Sequence, residues 1–305
     1  MAHLTASTPA LGRPGIEKIV QMYPTQSDAY FQQLAGETIN TALRFITVYT
    51  EGDFGYADVI NEGTPMTFDD WTIPYTFNVT PKIRVLGWEA TREGQESDQY
   101  GLYAKSATKL RYGLVKTMER NVADIFNNAT STSAPYITPD AAAFISTAHL
   151  YEDGTTANRP TTDIAFGALA LEQALQELMA QLGHRGDPMP QDGPFTLVVP
   201  TELAGVAHRV VEASGMAQTA YLNEPNALVK KARISVHVNP WLTDTNNWFL
   251  IPTEKSRRGI CTVRRRAPSL KTDYDINTNM DKWRLDEMYA LFIKDWRGHW
   301  GSIVS

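Results

Sequence analysis

Two pairs of adjacent carboxylates, Asp69–Asp70 and Asp286–Glu287, are the residues best suited to acid–base chemistry. Such a pair can act as a general acid and base only when the fold buries it and brings it against a substrate. Adjacent carboxylates more often face water. We therefore expect both pairs to be exposed.

The histidines also fail to form a recognisable site. Six are scattered along the chain, and no two have the spacing of metal ligands on a helix. We expect His208 to pack on or cap a helix, and His149 to be a loop histidine beside carboxylates. The chain has no phosphate-binding loop, no GxSxG elbow, no HExxH and no paired cysteines. These patterns predict no catalytic, cofactor or metal site, and a hydrolase with an unrecognised site stays a remote alternative.

A basic segment at residues 254–266, EKSRRGICTVRRR, carries six positive charges in a chain of net charge −6. Its alternation predicts a strand with a basic end. A pI near 5.6 disfavours a general nucleic-acid binder, because DNA affinity comes mainly from a basic surface. In another interpretation, residues 264–266 pair within their own chain, with Asp273, Asp275 or Asp281, or face water.

The opposite charge is concentrated in residues 51–80, which hold six acidic residues and no Lys or Arg. Gly and Pro punctuate short aromatic runs there, which predicts a long hairpin without a core of its own. Such a hairpin exposes edges and aromatic rings unless a neighbour covers them, so the chain is expected to assemble. We predict that the two charge blocks meet between subunits, the candidate residues being Glu62, Asp69, Asp70, Arg257, Arg258, Arg264, Arg265 and Arg266.

The overall composition is typical of globular proteins that work in water, with 43% hydrophobic and 20% charged residues. The longest apolar runs are far shorter than a membrane span, the amino terminus has no signal-peptide core, and the single cysteine, Cys261, excludes an internal disulfide. No membrane association is expected.

The pattern of elements indicates an α+β protein. Ser27 or Asp28 could cap a helix whose apolar stripe extends to Ile46. A strand near residues 83–90 precedes a helix of roughly thirty residues, about 45 Å long. A second helix is predicted from Asp163 to Gly183. From residue 195 onward, short strands alternate with one helix, whose sequence is TELAGVAHRVVEASG, and the closing segment from residue 270 again reads as strands.

Five segments in this order resemble the major capsid proteins of tailed bacteriophages, which have the Hong Kong ninety-seven type or Johnson fold, and most closely the Mu-like major head subunit group. The segments are GWEATREGQESDQYG, AAFISTAHLYEDG, FTLVVPTELAGVAHRVVEA, VHVNPWLTDTNNWFLIP and DWRGHWGS. The resemblance implies an N-terminal arm (1–49), an extended loop (50–81), a peripheral domain (82–193) with a spine helix at about 98–128, an axial domain (194–269) and a return to the peripheral domain (270–305).

The resemblance also implies a function: self-assembly into hexamers and pentamers of an icosahedral shell around double-stranded DNA. The implied partners are copies of the chain itself, a portal protein, a separate scaffold or maturation protease and, as an option, a cement protein. DNA would be held by non-specific proximity only. The location would be the virion, assembled in the host cytoplasm.

Two departures from the family pattern and two alternatives accompany this expectation. The chain has no room for a helical scaffolding region ahead of its arm, and the absence of lysine from residues 51–80 argues against a covalent weld between a loop lysine and an asparagine of the next subunit. The first alternative is an encapsulin-like nanocompartment shell of the same fold. The second, more remote, is a nucleic-acid-binding protein that uses residues 255–266.

Overall fold

The computed structural model describes residues 30–304 except 51, 53, 67, 72, 100 and 213–231. The predicted arm before residue 30, the capping residues Ser27 and Asp28, the acidic Glu51 and Asp53, and the loop around NEPNAL lie outside the described residues. The described helices are α1 (Tyr30–Leu34), α2 (Arg92–Glu96), α3 (Leu102–Asn127), α4 (Ala168–Met179) and α5 (Ala204–Glu212). The strands are β1 (Thr38–Asn40), β2 (Ile46–Thr50), β3 (Tyr75–Val79), β4 (Lys82–Thr91), β5 (His149–Tyr151), β6 (Gly154–Thr156), β7 (Phe195–Val199), β8 (Ser235–Val238), β9 (Trp248–Pro252), β10 (Ile260–Asp275), β11 (Met280–Ile293) and β12 (Trp300–Ser302).

The first sheet has the strand order β1-β10-β11-β4. Its centre is the long antiparallel hairpin of β10 and β11, and β4 extends the sheet antiparallel to β11. The short strand β1 joins β10 in parallel. The register of β10 against β11 shifts between Arg264 and Ser269, which marks a bulge at the basic end of the strand.

The second sheet has the order β12-β9-β7-β8. All residues of FTLVV and WFLIP are buried, as expected for central strands covered on both faces. Helix α4 buries its leucine stripe against this sheet, where Leu171, Leu175, Phe195, Trp248 and Trp300 share one core.

Helix α3 connects the two sheets through its buried face. It spans 26 residues, about 39 Å at the helical rise of 1.5 Å per residue. Its first half rests on Leu285 of β11 through Leu110 and Leu114. Its second half enters a core shared with both sheets, which includes Val122, Phe126, Phe249, Tyr289 and Leu291. The long helix predicted at about 98–128 is confirmed, although it begins slightly later, at Leu102, and ends slightly earlier, at Asn127.

Two predicted elements require correction. The helix expected to reach Ile46 ends at Leu34, because the chain turns at Gly36 to pair β1 with β10. A Cβ atom on Gly36 would lie 2.7 Å from the carbonyl oxygen of Arg258, so this approach needs glycine. The predicted hairpin starts earlier than expected: its paired base is β2 with β3, and between the two strands the described residues form no strand.

The order of elements also crosses one predicted domain boundary. Strand β10 continues through residues 269 and 270, so this boundary falls inside one strand. The last strand, β12, pairs with β9 of the second sheet. Among the described helices, none combines the length and apolarity needed to span a bilayer.

Candidate assembly surfaces

The loop between β2 and β3, residues 51–74, projects from a small apolar cluster. Val48 and Val79 at its base pack on Cys261, Val263 and Phe292 of the first sheet. Phe77 adds an aromatic contact with Phe292 at 5.7 Å between ring centroids. The base of the loop is therefore fixed to the sheet, whereas the rest of the loop extends beyond it.

Beyond this base, the loop exposes large apolar side chains. Tyr56 is 81% exposed, Val59 is 99% exposed and Phe68 is 88% exposed. Phe54, Ile60, Met66, Trp71 and Ile73 are also exposed. Soluble monomers rarely keep apolar side chains of this size together on the surface, so this loop marks an interaction surface.

One arginine fastens the loop to its own chain. Arg185 donates from both terminal nitrogens to the Asp69 carboxylate, at 2.8 and 3.0 Å, and also to the Asp70 carbonyl oxygen. The Gly55 amide donates to the same carboxylate at 2.6 Å. These hydrogen bonds, that of Arg185 foremost, lower the pKa of Asp69. Asp69 was predicted as an intersubunit contact, and in this chain its carboxylate already has a partner.

The turn that carries Arg185 makes two further contacts with the loop. A hydrogen bond to Asp187 raises the pKa of Tyr56. The ring of His184 meets the ring of Tyr75 edge-on at 5.9 Å. We call the contacts of residues 184–187 with the loop the loop clasp.

The basic segment does not form one surface. Arg258 is buried, and its guanidinium donates to backbone carbonyls on two sides: those of Gln32 and Ala35 at the end of α1, and those of Pro252 and Thr253. Burial lowers its pKa. Arg257 donates to the Gly193 carbonyl and to the Gln191 side chain. Both residues therefore hold their own chain together.

Arg266 pairs with a carboxylate that the sequence did not single out as its partner. It donates to Asp286 of β11 at 2.6 Å. Burial disfavours ionisation of Asp286, but the hydrogen bond from Arg266 prevails and lowers the pKa of Asp286. The partners expected within the chain are occupied otherwise, Asp275 by Lys282 and Asp281 by Gln95.

The pair Asp286–Glu287 was expected to be exposed, and this prediction is wrong. Both residues are buried in β11, where they face opposite sides of the strand. Burial raises the pKa of Glu287. The positive charges of Arg264, Arg111 and Arg84 oppose part of this rise. Sequence reasoning missed Arg84 and Arg111, because they lie on β4 and α3, far from the basic segment. The exposed pair Asp69–Asp70 agrees with the prediction.

The described histidines give one arrangement that superficially resembles a catalytic pair. His149 is fully buried, with Nδ1 2.8 Å from Asp140, and it stacks on Trp296. Its Nε2 faces the side-chain oxygen of Asn158 at 3.2 Å, where a catalytic histidine would face a nucleophile. The pair thus fixes the loop around β5 rather than serving as a site. His208 is exposed and contacts Glu212, so its predicted packing is wrong.

No group of three or more metal-binding side chains occurs within the described ranges. Two features of the described residues face outward: the apolar loop with its clasp and the group of arginines around Glu287.

Comparison with solved structures defines the class of the fold. The chain is similar to the capsid of the cyanophage P-SCSP1u, with a TM-score of 0.59 and 11% identity over 89% of this chain and 86% of that chain. It is similar to a virus-like particle from Pyrococcus furiosus, with a TM-score of 0.53 and 11% identity over 95% and 96% of the two chains. It also resembles the procapsid of bacteriophage JBD30, with a TM-score of 0.53 and 12% identity over 99% and 77%. The fold is that of viral capsid shells.

A sequence profile identifies the family. The chain belongs to the phage capsid protein family, whose profile, described as "Phage capsid protein", matches residues 74–300. It is a major capsid protein with the α+β fold expected from the sequence, and the family places it in the virion. A search of curated protein sequences finds no match.

Proposed function

We propose that this protein builds a closed icosahedral head from hexamers and pentamers of a single chain, that the head encloses double-stranded DNA, and that the protein catalyses no reaction. The observation that carries the proposal is the loop between β2 and β3, which exposes Tyr56, Val59 and Phe68. Contacts that repeat around five-fold and six-fold rings allow one chain to close a large surface, and this loop supplies such a contact.

The physical argument rests on the cost of leaving the loop uncovered. Burying apolar surface contributes about 25 cal/mol per Å², so each large side chain covered by a neighbour adds roughly 1.5–3 kcal/mol. A shell repeats this gain at every subunit. The same gain offsets the conformational entropy lost when the loop is ordered.

The remaining partners belong to the same proposal and are those that the resemblance implies. They are a portal protein, a separate scaffold or maturation protease and, as an option, a cement protein. Assembly would take place in the host cytoplasm, and DNA would be held through proximity without specific contacts. The net charge of −6 is consistent with DNA being held only weakly, because a chain with net negative charge repels phosphates.

Electron microscopy and sedimentation of the purified protein, with scaffold supplied, test the proposal. The wild type should give closed particles. Val59→Ser combined with Phe68→Ser should abolish particles without unfolding the subunit, because both side chains already face solvent. Ile276→Ser is the matched control, since Ile276 is 82% exposed at the turn after β10. A stable 34 kDa monomer under every condition would refute the proposal.

The contents of the particles separate the head from a nanocompartment. Particles that enclose DNA support the proposal, whereas particles that enclose an enzyme support the encapsulin-like alternative. Filter binding across a salt series tests the nucleic-acid alternative, because DNA affinity should fall steeply with salt only for a genuine binder.

A further inference from the structure

Between helix α3 and the first sheet, three arginines surround one buried glutamate. Arg84 lies on β4, Arg111 on α3 and Arg264 on β10. Burial raises the pKa of Glu287, and the three positive charges oppose part of that rise. We call these four residues the arginine cluster. We propose that the arginine cluster is a docking site for a carboxylate of the acidic loop (residues 54–80) of a second copy of the chain.

The sheet register places the cluster on one face. Glu287 is the cross-strand partner of Arg84, and Arg264 is the partner of Tyr289, two residues further along β11. The Arg84 guanidinium lies 3.7 Å above the Tyr289 ring and donates to the Tyr289 carbonyl at 2.8 Å. This is the face on which Leu285 and Tyr289 meet α3, so the cluster sits at the seam between helix and sheet.

The charges of the cluster do not balance. Three guanidinium groups act electrostatically on one carboxylate, which leaves an excess of two positive charges at a half-buried place. Among the described residues, the Nε atoms of Arg111 and Arg264 are buried without a hydrogen-bond partner. An unmet buried donor is costly, and a guanidinium binds a carboxylate through two parallel hydrogen bonds. All three arginines are partly exposed, so a carboxylate can approach the cluster from outside. The cluster therefore fits one further carboxylate.

The neighbouring arginines show that this imbalance is local. Arg266 has Asp286, and Arg258 has four backbone carbonyls. Arg265 is exposed to solvent. Within the described part of the chain, Arg264 is thus the one arginine predicted to contact the acidic loop that belongs to a half-buried group with excess positive charge.

The acidic loop is the occupant with matching chemistry. Residues 54–80 contain no Lys or Arg, and Glu62 lies exposed in the turn that Thr64 closes with a hydrogen bond to Asn61. Fully extended, a loop of this length reaches at most about 40 Å from its base, which is enough to contact a neighbouring copy. Within its own chain, the loop is held by the ion pair between Asp69 and Arg185 of the loop clasp. The inference rests on the proposed function, because it requires neighbouring copies.

A zero-length cross-link tests the contact directly. The R264K variant introduces an amine into the cluster, and carbodiimide can then join it to a carboxylate in direct contact. Particles are assembled from an equal mixture of isotope-labelled and unlabelled chains. We expect cross-linked peptides that join position 264 to residues 54–80 of a differently labelled chain. If position 264 cross-links only to Glu287 of the same chain, the inference is overturned. The proposed function still stands in that case, provided that the particles form.

A charge-reversal cycle provides the second test. Arg264→Glu and Glu62→Lys should each lower particle yield by about tenfold or more at low salt, and the double variant should recover most of the yield. Arg111→Gln, which adds no negative charge beside Glu287, should also lower the yield. Arg265→Glu is the matched control and should assemble normally. Circular dichroism confirms that each subunit is folded.

Three outcomes would contradict the inference in different ways. If the particle yield of the double variant is no higher than the product of the two single effects predicts, the two residues do not meet. Unchanged particle yield with loss of packaged DNA assigns the cluster to phosphate. If the wild type forms no particles at all, the proposed function fails and this inference fails with it.

Discussion

Single residues with the same chemistry play different roles in this protein. Arg258 and Arg264 lie six positions apart in one basic segment, yet Arg258 donates to four carbonyls of its own chain and Arg264 keeps a buried donor without an acceptor among the described residues. The segment alone shows only the charges. Arg258 contacts the end of α1, whereas the charges around Arg264 come from α3 and β4. These elements are distant in sequence from the basic segment, so the roles could not be predicted from local pattern.

His299 gives a prediction at the residue scale. It is fully buried, its Nδ1–H donates to the Arg297 carbonyl, and its Nε2 accepts from the Gly259 amide. Burial lowers its pKa to about 4. The unfolded chain takes up this proton near pH 6.5, and the folded chain only near pH 4. Stability is therefore complete above about pH 6.5 and falls toward pH 4, by up to about 3 kcal/mol from this residue.

The measurement is urea unfolding of the subunit between pH 7 and pH 4. His299→Gln should flatten the loss of unfolding free energy with acidification, although His237, whose pKa is also lowered to about 4 by burial, keeps part of it. Replacing the exposed His208 by Gln controls for removal of a histidine. An identical pH slope in wild type and His299→Gln would refute the assignment.

At the scale of elements, the sequence predicted what local periodicity determines. Helix α3 was expected close to its observed bounds, and short strands were expected from residue 195 onward, where β7 and β9 lie, because an apolar stripe and an uninterrupted apolar run each define one element. The early end of α1 and the parallel pairing of β1 were not predictable, since both depend on Gly36 fitting against Arg258. The arginine cluster was missed for the same reason: the topology of the first sheet brings its members together.

Gly259 gives a prediction at this scale. It lies where β10 begins, and a Cβ atom there would be 1.6 Å from the Asp295 carbonyl oxygen, a backbone atom that cannot rotate away. Gly259→Ala should destabilise the subunit by about 3 kcal/mol, because the strand and the segment after β11 must separate.

The matched control is Gly205→Ala in helix α5, where a Cβ atom meets nothing within 4 Å. Alanine there should be neutral or stabilise by up to about 1 kcal/mol, since it is the better helix former. Chemical denaturation of both variants measures the difference. Equal stability of the two variants would show that the contact at Gly259 relaxes freely.

At the scale of the whole molecule, the loop clasp sets the state of the loop before assembly. Arg185→Ala removes both hydrogen bonds to Asp69. In unassembled subunits, backbone amides of residues 54–70 should exchange about two- to fivefold faster, the effect expected for an exposed ion pair. In particles, the neighbouring subunit should hold the loop, so exchange should hardly change. Arg159→Ala, which removes a different Arg–Asp pair, should leave this region unaffected. Equal exchange of free and assembled loops would contradict this account.

The single cysteine provides a kinetic reporter for the same movement. Cys261 lies buried beneath Val48 and Val79, so a reagent reaches its sulfur only when the base of the loop lifts from the first sheet. Burial also raises the pKa of the thiol, which slows its reaction while the base is closed. The rate of labelling therefore counts opening events without any added probe. Labelling should be slow in free subunits, slower still in particles, and accelerated by Val48→Ala, which loosens the lid over the sulfur.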